Sequence, residues 1–289
     1  MKNNKTIYLV DDDEDDRMLT REALESVIKG IRIIELSDGG GLISLAESGG
    51  LKEQALILID MNMPRLNGLE TLSLLRQNPE CQQIPVVMVS TSSHQPTIQK
   101  AYEAGVNAFV VKPITFTDYI RLAHAVNICF LNNYLSLNQP VLSRCFKGKS
   151  LLLIEDNDDH AALMQMIFKQ SMPKVEIYHV ADTESTMKFL AGYPGICPAP
   201  VELIILDLYL PTRQSGLDLL DKIRNHFVER QLPLAPIIVL SSSDHQQDIR
   251  ASYQRRANAY MVKSHDPVLS FSHLKEVCQF WWGTTKLPC

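Results

Sequence analysis

Short runs that are apolar at every position alternate along the chain with longer stretches that are apolar only every third or fourth residue. The fully apolar runs include "IYLV" at 7–10, "ALILI" at 55–59, "PVVMV" at 85–89 and "AFVV" at 108–111. Such runs are short for helices, and apolar on both faces they suit strands of a parallel sheet covered on each side. Between them "DRMLTREALESVIKG", "GLETLSLLRQN", "PTIQKAYEAG" and "FTDYIRLAHAVNICFLNNYL" carry the helical period. Strand and helix in strict alternation predict an α/β fold built on a doubly wound parallel sheet.

The pattern then runs a second time. "LLLIEDNDDH" at 151–160 restates "IYLVDDDEDD" at 7–16, and "ELIILDLYLP" at 202–211 restates "ALILIDMNMP" at 55–64. "APIIVLSSSD" at 235–244 answers "IPVVMVSTSS" at 84–93, and "NAYMVKS" at 258–264 answers "NAFVVKP" at 107–113. The offset drifts from 144 at Asp12/Asp156 to 147 at Asp60/Asp207 and 151 at Lys112/Lys263, which places the insertions in loops. Two five-stranded domains are expected, at 1–138 and 149–289. A linker at 139–148 joins them where the periodicity lapses.

Charge refines this organisation. The net charge of −5 speaks against a broad nucleic-acid face. The excess acidity belongs to the first half, since residues 1–138 hold 17 acids against 12 Lys or Arg and residues 139–289 hold 16 of each. No apolar run reaches the length of a membrane span and no signal-peptide core opens the chain, so a cytoplasmic protein without membrane contact is expected. The six cysteines form no C-x-x-C pair, which suits incidental thiols in a reducing compartment.

The chemistry sits where strands end. Parallel α/β sheets bind ligands beyond the carboxyl ends of their strands. There the first strand delivers Asp11 and Asp12, the third Asp60, the fourth Ser90 and the fifth Lys112. In the second half Glu155, Asp156, Asp207, Ser241 and Lys263 occupy the same places. Carboxylates gathered this closely repel unless a cation lies among them, and Mg²⁺ (or Mn²⁺) is a hard ion suited to carboxylate oxygens. A lysine and a hydroxyl facing the same cleft suit the oxygens of a phosphoryl group, with the lone aspartate as nucleophile. Of the six consecutive acids Asp11–Asp16, the last four read as loop, helix cap and solubility.

By this order of motifs each half resembles a receiver domain of two-component signalling, and the first half resembles stand-alone receivers of the phytochrome-associated kind. The resemblance implies phosphoacceptors at Asp60 and Asp207, with metal held by Asp11, Asp12, Asp60 and the Asn62 carbonyl. In the second half Glu155, Asp156, Asp207 and the Tyr209 carbonyl would hold the metal. Ser90, Lys112, Ser241 and Lys263 become the phosphoryl-handling groups, and Phe109 and Tyr260 the aromatic switch residues. It implies a response regulator rather than an enzyme, fed by a histidine kinase or histidine phosphotransfer protein. The second receiver would fill the rest of the chain and leave no output domain. A homodimer through the fourth helix, fifth strand and fifth helix is possible.

Some features depart from the family. Pro113 after Lys112 implies a cis peptide, whereas Ser264 follows Lys263. One extra residue separates Asp207 from Gly216 compared with Asp60 and Gly68, and Tyr209 replaces the Asn62 type. Two other readings fit some of these residues. A haloacid-dehalogenase-type phosphohydrolase uses similar groups, but in a different chain order and with an acid two places after its nucleophile; Asp60 is followed by "MN". A scaffold that is never phosphorylated remains the alternative for the second half.

Overall fold

The structure is a computed structural model that describes residues 5–52, 54–131, 146–192, 201–264 and 267–288. The chain divides into two compact units, 1–134 with 284–289, and 135–283. Most of the expected linker, 139–145, lies outside the described residues.

In the first unit β1 (Thr6–Val10), β2 (Arg32–Leu36), β3 (Ala55–Asp60), β4 (Val86–Ser90) and β5 (Ala108–Val111) form an all-parallel sheet in the order β2-β1-β3-β4-β5. Its helices are α1 (Glu14–Val27), α2 (Gly39–Glu47), α3 (Gly68–Gln77), α4 (Gln95–Glu103) and α5 (Phe116–Leu131). The second unit repeats this with β6 (Ser150–Ile154), β7 (Glu176–Val180), β8 (Leu203–Asp207), β9 (Ile237–Ser241) and β10 (Ala259–Val262), in the order β10-β9-β8-β6-β7. The intervening helices are α6 (Asp158–Ser171), α7 (Thr183–Ala191), α8 (Arg213–Glu229), α9 (Gln246–Gln254) and α10 (Pro267–Gly283). This is the flavodoxin-like α/β fold in tandem.

Burial follows the apolar runs. The central strands β1, β3, β6 and β8 are buried at every residue, as strands with helices on both faces require. The edge strands β2 and β7 are only half-buried and alternate with polar residues.

Helix starts are written locally. Asp13 caps α1 by accepting from the N–H groups of Asp15 and Asp16, and Glu14, Asp15 and Asp16 face the positive end of the helix. Asn67 and Glu70 form a reciprocal capping box at α3. The extra residue after Asp207 is absorbed at the next helix. α3 begins at Gly68, but α8 begins three residues ahead of Gly216, at Arg213 with Thr212 as cap.

Each sheet has the same clamp below its site. Asn107 Oδ1 accepts from Val86 N at 2.8 Å and from Arg76, whose guanidinium also reaches the carbonyls of Gly105, Cys81 and Ile84. Asn258 and Arg224 repeat it around Ile237 N and the carbonyls of Arg256 and Ala235.

The first unit also takes the end of the chain, which the sequence reading gave to the second domain. Thr285 makes an antiparallel bridge to Val110, and Lys286 N donates to Phe109 O at 2.8 Å. β5 is an edge strand with backbone groups open to such pairing.

Candidate functional site

The register of the first sheet brings its polar residues to one level. Val10 pairs with Ile59, so Asp11 and Asp60 end adjacent strands side by side. Ser90 closes β4, and Lys112 N bonds to Ser90 O at 2.8 Å. Asp11, Asp60 and Ser90 are all buried, while Asp12 is exposed.

Lys112 is the centre of this arrangement. Its Nζ lies 2.9 Å from Asp11 Oδ2, 3.4 Å from Asp60 Oδ1 and 2.7 Å from Asp16 Oδ2. Burial alone would lower the lysine pKa, but the bonds to Asp16 and Asp11 and the charges of Asp11 and Asp60 raise it above its ordinary value, so it is an ammonium. Burial raises the Asp11 carboxyl, against the opposing pull of Lys112. Backbone N–H groups hold the remaining oxygens: Asn62 N donates to Asp60 Oδ2 at 2.7 Å, and Asp13 N to Asp11 Oδ1 at 2.9 Å.

The second site is built alike with different spacing. Lys263 Nζ lies 2.8 Å from both Glu155 Oε2 and Asp207 Oδ2. Burial would lower this lysine too, yet Asp207 and Glu155 raise it. Tyr209 N donates to Asp207 Oδ1 at 3.1 Å. The site opens into a cleft of about 460 Å³ lined by Asp156, His160, Tyr209 and Ser243 among others.

This second site fits a divalent cation on its own evidence. Glu155, Asp156 and Asp207 each offer an oxygen within 4.8 Å of the others. Glu155 is 1% exposed, and its Oε1 is buried without a hydrogen bond. His160 Nδ1 lies 3.4 Å from that oxygen. A buried carboxylate oxygen left in this state is costly unless a charge meets it.

The expected switch residues Phe109 and Tyr260 are both fully buried. Tyr260 OH donates to Ser243 O at 2.8 Å. Ser90 Oγ and Ser241 Oγ accept from the N–H groups of Ser92 and Ser243. The Lys112–Pro113 peptide is trans, not cis as the resemblance implied, and Lys263–Ser264 is trans as well; among the described residues the cis bond is Leu210–Pro211. Trans is the ordinary X–Pro isomer, favoured by about 0.5–1 kcal/mol.

Three residues carry more than their sequence positions announced. Asp16, read as a capping acid, instead pairs with Lys112 and accepts from Tyr119 OH at 3.0 Å. His160 occupies the matching position of the second half. Asp248, at 3% exposure, gathers Tyr209 OH at 3.1 Å, Ser243 Oγ at 2.5 Å and the Arg213 guanidinium. Burial would raise the Asp248 carboxyl, but bonds to Ser243, Arg213 and Tyr209 lower it below the ordinary range. The sequence signal for Asp16 was the length of the acid run, and for position 160 the change from acid to imidazole. Asp248 left no such signal.

Residues 7–124 and 151–274 each match the family model of the response regulator receiver domain. The chain belongs to that family. Response regulator Rcp1 of Synechocystis is 30% identical over 131 residues, spanning 44% of this chain and 89% of that protein. A probable methanogenesis regulatory protein, FilR2 of Methanothrix harundinacea, is 32% identical over 123 residues, 42% of this chain and 79% of that one. Among solved structures, the Mn²⁺-bound form of Rcp1 aligns at 31% identity with a TM-score of 0.38, covering 43% of this chain and 91% of that one. The phosphorylated cyanobacterial phytochrome response regulator RcpA aligns at 26% identity and a TM-score of 0.41, covering 47% and 99%.

The protein is thus a two-component response regulator with two receivers. Receivers are phosphoacceptor signalling domains that bind Mg²⁺ or Mn²⁺ at an acidic pocket and work with histidine kinases or phosphotransfer proteins. Among the described residues no helix is long and apolar enough to cross a membrane.

Proposed function

We propose that both receivers accept a phosphoryl group from a phosphohistidine partner, on Asp60 and on Asp207. A carboxylate oxygen of the acceptor attacks phosphorus in line with the departing imidazole; the P–O bond forms as the P–N bond breaks. The observation that carries this reading is the doubled bridge of lysine between the first acid and the acceptor, Lys112 to Asp11 and Asp60, Lys263 to Glu155 and Asp207.

Asp11, Asp12, Asp60 and the Asn62 carbonyl would hold the cation in the first receiver. Glu155, Asp156, Asp207 and the Tyr209 carbonyl would do so in the second. Bound there, Mg²⁺ offsets the charge on the transferring phosphoryl oxygens. Lys112 and Lys263 would redirect their N–H donors from carboxylate to phosphoryl oxygen. Ser90 and Ser241 offer hydroxyls to the same group, and Phe109 and Tyr260 stay inward when the hydroxyl is engaged. Exposed apolar side chains support docking of the partner beside Lys112, since Ile114, two residues on, is 93% exposed and Phe116 47%. The product is a signalling state read by protein contact or by a further phosphorelay step, with only slow self-dephosphorylation as turnover. Pairing of two copies through α4, β5 and α5 would meet an edge where Lys286 already holds the Phe109 carbonyl.

Acetyl phosphate with Mg²⁺, followed by intact mass, tests the reading. Two phosphoryl groups are expected on the unaltered chain and one on each of Asp60→Ala and Asp207→Ala. A single group lost only with Asp60 would restrict phosphorylation to the first receiver. Failure to label with acetyl phosphate and with a panel of phosphohistidine proteins would overturn the proposal.

A further inference from the structure

We propose that Asp16 is a positioning residue for Lys112, giving the ammonium a partner outside the cation's ligand set so that Asp11 and Asp60 can be released to a divalent cation. The inference rests on the proposed reading of the first site.

The geometry sets Asp16 apart from the other acids of its run. Its carboxylate is gripped from two directions, Oδ2 by Lys112 at 2.7 Å and Oδ1 by the Tyr119 hydroxyl at 3.0 Å. Tyr119 is itself buried in α5, and burial followed by its bond to Asp16 raises its pKa, so it stays a phenol and donates. Of the three carboxylates around Lys112, Asp16 is the nearest and Asp60 the farthest. Asp13 already caps α1, so Asp16 is not needed for that task. Asp15, its neighbour, is exposed, and its backbone N–H donates to Asp13.

The second receiver supplies the contrast within one chain. At an offset of 144, position 16 becomes His160, whose imidazole faces Glu155 rather than the lysine. There Lys263 rests 2.8 Å from its acceptor aspartate, where Lys112 rests at 3.4 Å. Without a carboxylate at this position, the lysine settles fully on the groups a cation needs.

The physical consequence concerns cation entry. A divalent cation takes oxygens from Asp11 and Asp60, and a buried ammonium stripped of both would be left uncompensated, a costly state. Asp16 keeps one charged bond in place during that exchange. It also holds the ammonium near Asp60, where an incoming phosphoryl oxygen can claim it.

Mn²⁺ binding to the full-length chain, read by water proton relaxation, tests this. The second site is silenced throughout by Glu155→Gln with Asp207→Asn. Asp16→Asn should weaken Mn²⁺ binding by about tenfold or more, the worth of one charged hydrogen bond. Asp15→Asn removes the same charge one residue away and should change it less than about twofold, since an exposed charge is screened. Tyr119→Phe, which keeps every charge, should give an intermediate loss. In a Lys112→Met background Asp16→Asn should lose its excess over Asp15→Asn. Equal effects of Asp16→Asn and Asp15→Asn, or an unchanged Asp16→Asn effect without Lys112, would overturn the positioning role. Asp60→Asn separates the two layers: if it leaves Mn²⁺ binding intact, the reading of the site itself fails.

Discussion

Replacing Lys263 by Met removes the ammonium that joins two carboxylates in the second receiver, and the cost can be bounded. Glu155 is 1% exposed, and Lys263 Nζ sits 2.8 Å from it and from Asp207. Deleting one partner of a buried pair costs about 3–5 kcal/mol when the other charge stays buried. The folded protein has an escape, which is to protonate Glu155. At pH 7 that costs an ordinary glutamate about 4 kcal/mol, at 1.36 kcal/mol per pH unit above its usual value. Burial, with Asp207 pushing the same way, already raises Glu155, so the cost falls below that ceiling. A destabilisation of about 2–4 kcal/mol at pH 7 in EDTA is expected.

The sign of the pH dependence follows. A carboxyl with a raised folded pKa binds more protons folded than unfolded between its two values, so stability falls as pH rises through that window. The deficit of Lys263→Met is therefore largest at neutral pH and shrinks as pH drops toward the ordinary glutamate range. Urea unfolding followed by tryptophan fluorescence reads the second unit, because Trp281 and Trp282, the chain's two tryptophans, both lie in α10. Mg²⁺ at a hundredfold excess over its Kd adds about 2.7 kcal/mol to any folded state that binds it. The variant, with no ammonium to displace, should bind more tightly and gain more than the unaltered chain at equal Mg²⁺. Stability within about 0.5 kcal/mol of the unaltered chain at pH 7 in EDTA would refute the reasoning, because it would mean the ammonium does not balance these acids.

The phosphoryl group on Asp207 should decay more slowly than that on Asp60, and Tyr209→Asn should speed it, because Tyr209 lines the cleft and is tied over it by Asp248; intact-mass time courses after removing acetyl phosphate decide this. Gly68→Ala should cost about 1–3 kcal/mol and impair labelling of Asp60, since its Cβ would lie 2.5 Å from Asp60 O and 2.8 Å from Met61 Cα; thermal unfolding with intact mass checks both effects. Asn107→Ala should cost about 1–3 kcal/mol, because it strands the buried Val86 N–H now bonded at 2.8 Å; urea denaturation followed by circular dichroism measures it.

The tandem fold was legible in the sequence, and so were the acids, serines and lysines that the strands carry to one end of each sheet. Strands buried on both faces must be apolar throughout, so β1, β3, β6 and β8 were visible as runs, and parallel strands all present their carboxyl ends to one side. An acid, a serine and a lysine that each follow such a run therefore have to meet. The edge strands β2 and β7 were harder to see, because an edge strand buries only part of its surface and "RIIEL" mixes polar with apolar. What tertiary structure alone decided is how the charges pair. Asp16 and Tyr119 are 103 residues apart and meet only because α1 packs beside α5. Nothing in the sequence sets Asp248 apart at the start of α9, and only the fold brings Arg213, Tyr209 and Ser243 around it. The pairing of Lys286 with Phe109 was hidden for the same reason, since a backbone bond leaves no mark on residue type. Hydrophobic periodicity reports which face of an element is buried. The partner of a polar side chain depends on what a distant stretch of chain places across from it, and that is settled only when the elements pack.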